Sequence, residues 1–283
     1  MPPDPSALRS PASGTTGDLL CDFVDRHRRL FVLTGAGCST ASGIPDYRDV
    51  NGDWKRARPV MLQDFLANEY TRKRYWARSL VGWQRMSDAR PNDAHHALAM
   101  LEHQGRVEQL VTQNVDGLHQ AAGSRAVIDL HGRVDIVRCL GCGRRVSRDH
   151  VQAELVRRNP PFAALDAVAA PDGDADLDRV AFAAFDVPGC ETCGGLLKPD
   201  VVFYGENVPR ERVQRAMDAL ERSDAMLIVG SSLMVYSGYR FPEAMAQAGK
   251  PIAAVNLGRT RADDLLSLKV ASSCTDALSF LLS

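Results

Sequence analysis

The sequence predicts the α/β class, a doubly wound parallel sheet carrying a smaller insertion module, and three observations predict it. Apolar runs too short for helices recur at residues 30–34, 107–112, 126–130, 201–204, 225–229 and 252–256. Runs of this kind, ending in small or polar residues, read as strands buried on both faces. Helical patterns lie between them, as a parallel sheet with crossover helices requires. Residues 133–200 then break the rhythm with two Cys-x-x-Cys pairs and an Ala- and Asp-rich stretch, so they read as the inserted module.

Each element has a local warrant. Leu30-Phe31-Val32-Leu33-Thr34 runs directly into Gly35-Ala36-Gly37, a strand feeding a tight loop. Asn92-Asp93 can cap a helix bearing Ala97, Leu98 and Leu101 on one side, and Pro209 can open one with Val213, Met217 and Leu220 at helical spacing. The stretch 163–185 suits a surface helical excursion or a mobile loop more than a core element. Ligands of such a sheet bind beyond the carboxyl ends of its strands. Loops 35–48, 113–116, 230–232 and 256–258, together with His131, all fall at that edge.

Bulk properties narrow the partners. With 283 residues and 45% hydrophobic content the chain can build one large core and a smaller one. A net charge of −1 provides no global field to steer nucleic acid or an anionic membrane, so no specific nucleic acid and no membrane is expected. No run approaches the roughly 18 apolar residues of a membrane span. Residues 1–17, with Pro2, Pro3, Pro5 and Pro11, read as a disordered tail without the apolar segment of a secretory signal.

Cys139-Leu140-Gly141-Cys142 and Cys190-Glu191-Thr192-Cys193 each place two thiolates on a tight turn, and two such turns close a tetrahedron around Zn²⁺. Four cysteines leave no open coordination position, so one structural zinc is expected, held by thiols that stay reduced in a cytoplasmic setting. Cys21 reads as a small buried hydrophobe, whereas Cys38 sits inside the glycine loop.

The chemistry-bearing residues cluster in the loops. Gly35 and Gly37 let the backbone turn and approach a pyrophosphate, while Ala36 and Ser39 leave it room. Thr40 stands where the dinucleotide fingerprint has its third glycine. Ile44-Pro45-Asp46-Tyr47-Arg48 adds a rigid corner, a carboxylate, an aromatic face and a guanidinium. Asn114 and Asp116, one residue apart, can face the same side of their loop and with Gln113 suit ribose hydroxyls. Gly230-Ser231-Ser232 offers a further phosphate or ribose contact. A lone histidine such as His131 is more often structural; His27, His95, His96 and His103 have ordinary surface or core readings, and His119, part of the 113–119 motif, ranks below His131.

The string from Gly35 to Arg48, followed by Thr112-Gln113-Asn114-Val115-Asp116-Gly117-Leu118-His119, Leu130-His131-Gly132, the two cysteine pairs and Gly230-Ser231-Ser232, resembles the sirtuins, NAD-dependent protein-lysine deacylases, in order and at similar intervals. The resemblance implies a Rossmann-like NAD-binding domain over residues 18–132 and 201–283 and a zinc-binding module over 133–200. It implies an enzyme that transfers the acyl group of a modified protein lysine to ADP-ribose, releasing nicotinamide. It makes His131 the general base acting on a ribose hydroxyl, with Asn114 beside it. Gly35, Ala36, Gly37, Ser39, Asp46, Tyr47, Arg48, Gln113, Asn114, Asp116, Gly230, Ser231, Ser232, Asn256, Leu257, Gly258 and Cys274 would hold NAD. The substrate peptide would lie as an added strand between Val202, Phe203, Gly205 and Glu206 on one side and Leu233 and Val235 on the other.

Several features depart from the common sirtuin pattern. Tyr47, the turn Tyr236-Ser237-Gly238-Tyr239-Arg240 in place of a proline- and alanine-rich one, Gly258, and the segments around Arg56, Tyr75 and Arg259 look like the class II branch in a bacterial chain. That branch implies longer or acidic acyl groups as alternatives to acetyl, with Arg56, Arg58 and the 236–240 turn near the acyl channel. Tyr75 and Arg78 are expected on a helix surface. A mono-ADP-ribosyltransferase is the alternative sharing the cofactor; a dehydrogenase leaves the zinc pairs and His131 unexplained. A zinc-ribbon nucleic-acid binder lacks the basic stripe that role requires.

Overall fold

A computed structural model describes residues 16–55, 59–165, 177 and 181–283. Of the expected tail, only the last two residues fall among them, and they open helix α1 (Thr16–Arg26). The large sheet contains β1 (Leu30–Thr34), β2 (Val107–Thr112), β3 (Val127–Asp129), β7 (Ala225–Val229), β8 (Ile252–Val255) and β9 (Leu268–Val270). Its order is β3-β2-β1-β7-β8-β9, with every pairing parallel.

β1 shows why the runs lack alternation. Leu30 and Val32 face one apolar layer, with α1, α4 (Asp93–His103) and α10 (Cys274–Leu278), while Phe31 and Leu33 face the other, with α8 (Arg210–Arg222) and α9 (Tyr236–Gln247). Both faces are covered, so every position of β1 is buried. Asn92 caps α4 as expected, accepting from the Ala94 amide at 2.9 Å, and Pro209 precedes α8.

Register makes the edge. Thr34 pairs with Thr112 and Val229, Val229 with Val255, Val255 with Val270, and Thr112 with Asp129, so the strands end level. Their following loops therefore emerge side by side. The chain winds one way from β1 to β2 and β3 and the other way from β7 outward, and the crevice opens at that switch, where β1 meets β7.

The second sheet is antiparallel, ordered β5-β4-β6, from β4 (Gly132–Cys139), β5 (Arg145–Ser147) and β6 (Leu197–Val201). Here the expectation of a large-sheet strand at 201–204 is corrected. The strand begins at Leu197 and pairs with β4, because buried Lys198 finds Glu206 at 2.9 Å and Asp200 pairs with Arg145, which disguises a strand as a polar segment. Residues 202–204 continue past its end.

The apolar core beneath this sheet draws on more than the cysteine segment. Phe65 from α2 (Leu62–Ala67) and Tyr75, Trp76 and Leu80 from α3 (Glu69–Asp88) pack with Val137, Leu155 of α6 (Arg148–Arg158), Phe162 of α7 (Pro160–Ala163), and Leu177, Phe182 and Phe185. Two expectations change accordingly. Tyr75 is a core residue, edge-on to Phe65 at 5.5 Å and not on a helix surface. The described part of 163–185 supplies three core side chains, since its few large apolar residues are the ones turned inward. Residues 166–176 and 178–180 of that stretch lie outside the described residues. Cys21 is also corrected: it is only half-buried on α1, with its thiol toward Asp25. The short helix α5 (Leu118–Ala121) completes the described helices.

Candidate active site

The glycine loops lock together before they meet any ligand. Gly35 donates to Val229 O at 3.1 Å and Gly37 to Gly230 O at 2.8 Å. A Cβ on Gly35 would stand 2.7 Å from the Ser231 Cβ, and one on Gly230, whose φ is +62°, would collide with the Cys38 amide nitrogen. Glycine is thus required at 35 and 230 by loop-against-loop approach, beyond the tight turn and the ligand contacts expected there. Thr40, in place of a third glycine, ties its hydroxyl to Gly37 O at 3.0 Å.

Ser39 is the hub of the next layer. Its hydroxyl donates to Asp116 Oδ2 at 2.7 Å and accepts from Asn114 Nδ2 at 3.0 Å; the same amide nitrogen also reaches Gly35 O. Asn114 and Asp116 do face the same side, and burial pushes the Asp116 carboxyl up from its usual range. Behind them, the His119 ring meets Thr34 Oγ1 at 2.9 Å, Thr34 donates to Thr112 Oγ1, and Thr112 Oγ1 accepts the Asn114 amide. Burial drives the His119 pKa well below the ordinary value.

Cys38, His95 and His119 gather their ligand atoms within 4.8 Å of one another, a metal-like grouping the sequence did not suggest. The hydrogen bonds argue against a metal. His95 Nδ1 accepts the Asn92 amide in the cap of α4, so its proton sits on Nε2, the nitrogen a metal would have to take. The cluster is a packed support under the loop.

His131 stands just past β3, on the connection into β4. Its Nδ1 lies 2.9 Å from the Gln113 carbonyl, which can only accept, so Nδ1 carries the proton and Nε2 presents a lone pair. Ser237 Oγ lies 2.8 Å from that lone pair. Burial pushes the His131 pKa down to about 4; the Gln113 carbonyl opposes this, and the Arg212 and Arg240 cations add to it. The imidazole is therefore neutral, as a base must be.

One cavity of about 680 Å³ gathers these parts. It is lined by Gly35, Ala36, Gly37, Ser39, Asp46, Tyr47 and Arg48, by Gln113, Asn114, Asp116 and His131, and by Gly230, Ser231, Ser232, Asn256, Leu257, Gly258 and Cys274. Val202, Phe203, Gly205, Glu206, Leu233 and Val235 line it too. Every expected non-cysteine residue is thus at one place, and its volume suits a small-molecule ligand. Arg48 is fixed by Gly52 O at 2.7 Å and by the Trp54 ring 4.0 Å away, and Asp46 by Lys55 at 2.5 Å. Cys274 Sγ approaches Gly37 O at 3.5 Å. Leu233 is buried, with φ +58°, so only its backbone is available to a ligand. Ser237 and Arg240 also line the cavity; their turn was expected near the acyl channel, but neither was named among the site residues. The signal was present: a departure from the family turn at the start of a helix.

Away from the cavity, the four cysteines meet as expected. Cys139 and Cys193 sulfurs lie 3.4 Å apart and Cys142 and Cys190 sulfurs 3.8 Å, all four within 4.8 Å. A disulfide needs about 2.05 Å. A zinc tetrahedron with bonds of about 2.3 Å spaces its sulfurs by roughly 3.8 Å, so the donor set fits one zinc. The Gly141 and Cys142 amides point at Cys139 Sγ, as on a zinc-binding turn.

The glycine-edged switch point, the neutral buried imidazole and the four gathered thiols together define a dinucleotide-binding α/β enzyme with a structural metal module. The Sir2 family model matches residues 35–237, and the chain belongs to that family. It is 67% identical over 266 residues to an NAD-dependent protein deacetylase of Xanthomonas campestris pv. campestris, spanning 94% of this chain and 91% of that one. It is also 67% identical over 263 residues to NAD-dependent protein deacetylase 2 of Bradyrhizobium diazoefficiens, spanning 93% and 96%. Among solved structures it is similar to a Sir2–p53 peptide–NAD+ complex, with TM-score 0.76, 30% identity and 95% and 98% coverage. A Sir2 structure with deacetylated p53 peptide and 3′-O-acetyl ADP-ribose superimposes with TM-score 0.76 at 32% identity, covering 94% and 96%.

Proposed function

We propose that this protein is an NAD-dependent protein-lysine deacetylase. The observation that carries the reading is His131, neutral and with its Nε2 lone pair available, inside the cavity that the two interlocked glycine loops open at the sheet's switch point. Family membership and the high-identity deacetylases agree with it.

When bound, NAD supplies the electrophilic ribose carbon and the acceptor of the acyl group. The chain's residues do the rest. Gly35, Ala36, Gly37 and the 230–232 loop provide close backbone for phosphates. Asn114 and Asp116, anchored on Ser39, suit ribose hydroxyls, and Asp46, Tyr47 and Arg48 enclose the nicotinamide end and exclude water. His131 Nε2 takes the proton of a ribose hydroxyl, and the Gln113 carbonyl steadies the resulting imidazolium through Nδ1–H. The tetrathiolate holds one zinc that shapes the small sheet and performs no chemistry.

The acylated peptide lies as a strand between 202–206 and 233–235, read chiefly through its backbone; both segments line the cavity. The seven unpaired cysteines favour a reducing, cytoplasmic setting. No described helix is long and apolar enough to cross a membrane.

A specific observation favours a second acyl preference. Arg240 lines the cavity, its Nε is buried without a hydrogen-bond partner, and its guanidinium rests against the Tyr236 ring at 5.4 Å. A cation so placed suits an acyl chain ending in a carboxylate. Arg56 and Arg58, the other candidates, lie outside the described residues. Incubation with NAD and an acetylated peptide tests the main reading: nicotinamide, free lysine and acylated ADP-ribose should appear in equal amounts, and NADH in their place would refute it. Comparing kcat/KM for acetyl and carboxylate-ended acyl groups on one peptide decides the second.

A further inference from the structure

The turn at 236–240, which the family resemblance placed only near the acyl channel, touches His131 directly. Ser237 is the second residue of α9, and its hydroxyl lies 2.8 Å from His131 Nε2. The tautomer settles the direction. Nδ1–H is committed to the Gln113 carbonyl, so Nε2 has no proton and the Ser237 hydroxyl must donate. Two further contacts make this a built arrangement. Gly238 lies so close to the Gln113 amide that a Cβ there would run into Nε2 of Gln113, and Ser231 donates to Gln113 Oε1 at 2.6 Å. One residue, Gln113, thereby holds the far nitrogen of the imidazole and receives the helix that holds the near one.

We propose that Ser237 is a positioning residue for His131: it clamps the imidazole in its reactive tautomer with the Nε2 lone pair facing the cavity, and yields that lone pair to the ribose hydroxyl when the site fills. The proton that His131 then takes comes from the ribose hydroxyl, and the serine keeps its own. The inference rests on the deacetylase reading for its catalytic consequence, but not for the geometry. The charged groups that act on His131 are Arg212 from α8 and Arg240 from α9. Asp129, two residues earlier, is turned to the Gln120 amide at 2.9 Å. Burial and the two cations already favour the neutral ring, so what the Ser237 hydroxyl adds is its tautomer and orientation.

The test uses Ser237→Ala and Ser237→Thr. Without the clamp, other ring orientations and the other tautomer compete, and a bond of about 1 kcal/mol predicts a fall in kcat of up to about fivefold for the alanine variant, with KM for NAD nearly unchanged. Removing a donor from Nε2 destabilises the neutral ring, so the acid limb of the rate profile should move to higher pH, and threonine should restore both. Nitrogen NMR of the imidazole in the enzyme without NAD reads the same point independently of turnover. The parent should show a protonated Nδ1 and a hydrogen-bonded bare Nε2, and Ser237→Ala should raise the His131 pKa. Unchanged Nε2 shift and pKa in the alanine variant would overturn the inference even if the enzyme deacetylates, and so would a threonine variant as impaired as alanine. An inactive parent with the expected NMR response would instead sink the deacetylase reading alone.

Discussion

The two sheets hold their functional atoms in place by opposite means. In the large sheet, level strand ends put backbone loops side by side, and glycines at 35 and 230 let those loops touch. In the small sheet, residues far apart in sequence are drawn together at four sulfurs, and the core below them borrows Phe65, Tyr75 and Trp76 from another part of the chain. The first arrangement needs no ligand to be specified. The second would be completed by a metal that joins two turns on separate stretches of chain. Chemistry therefore belongs at the large-sheet edge, and the zinc module influences it from a distance.

The sharpest way to break that division is at the base. His131→Ala should lower turnover by at least about 10²-fold while the melting temperature stays within a few degrees, since the ring acts after the fold is formed. Activity within a few-fold of the parent would remove His131 from its role. Cys142→Ser should lose stoichiometric zinc by elemental analysis, lower the melting temperature and reduce activity at least about tenfold through the module's distortion. A zinc-free variant with parental kinetics would show that the two regions are uncoupled.

Gly230→Ala tests the interlock itself. The new Cβ meets the Cys38 amide nitrogen at a positive φ, so a destabilisation of about 1–3 kcal/mol by chemical unfolding and a raised KM for NAD are expected. Acid offers a milder test. His95 and His131 are pushed down from 6.5 to about 4, and His119 well below its ordinary value, by burial, so the unfolded chain binds more protons than the native one below 6.5. Stability should be full above pH 6.5 and fall on acidification toward pH 5, by at most about 1.4 kcal/mol per pH unit for each histidine. Asp116 and Asp129, raised by burial, act in the opposite sense nearer the carboxylate range. A melting temperature flat from pH 7 to 5 would mean that these rings titrate in the native state as they do in the unfolded chain.

The same contrast explains what was legible in the sequence. Buried parallel strands are written as apolar runs, so β1, β2, β7 and β8 could be read directly, and the loops after them followed. β4 and β6 alternate or carry charges such as Arg133, Asp135, Lys198 and Asp200, whose ion pairs exist only in the folded chain. Nothing local marks them as strands. Tyr75 looked like a surface residue for the same reason: its burial comes from Phe203, far along the sequence. Ser237 was noticed as a departure, but its meaning depended on the tautomer that Gln113 imposes across the crevice.

One hydrogen bond joins the two regions where they meet. The Val202 amide donates to the carbonyl of His131 itself, at 2.8 Å, just where β6 leaves its pairing with β4. In the proposed roles, the segment offered to the peptide and the residue offered to the ribose are thus tied by one backbone hydrogen bond, and a guest chain pulling on 202–206 would tug the backbone of His131. Docking of the protein substrate would in that sense be a mechanical input to the proposed acid–base step. Amide exchange at Val202 is the gauge: it should slow when acetylated peptide binds, and an unaltered rate would mean that the two events are deaf to one another.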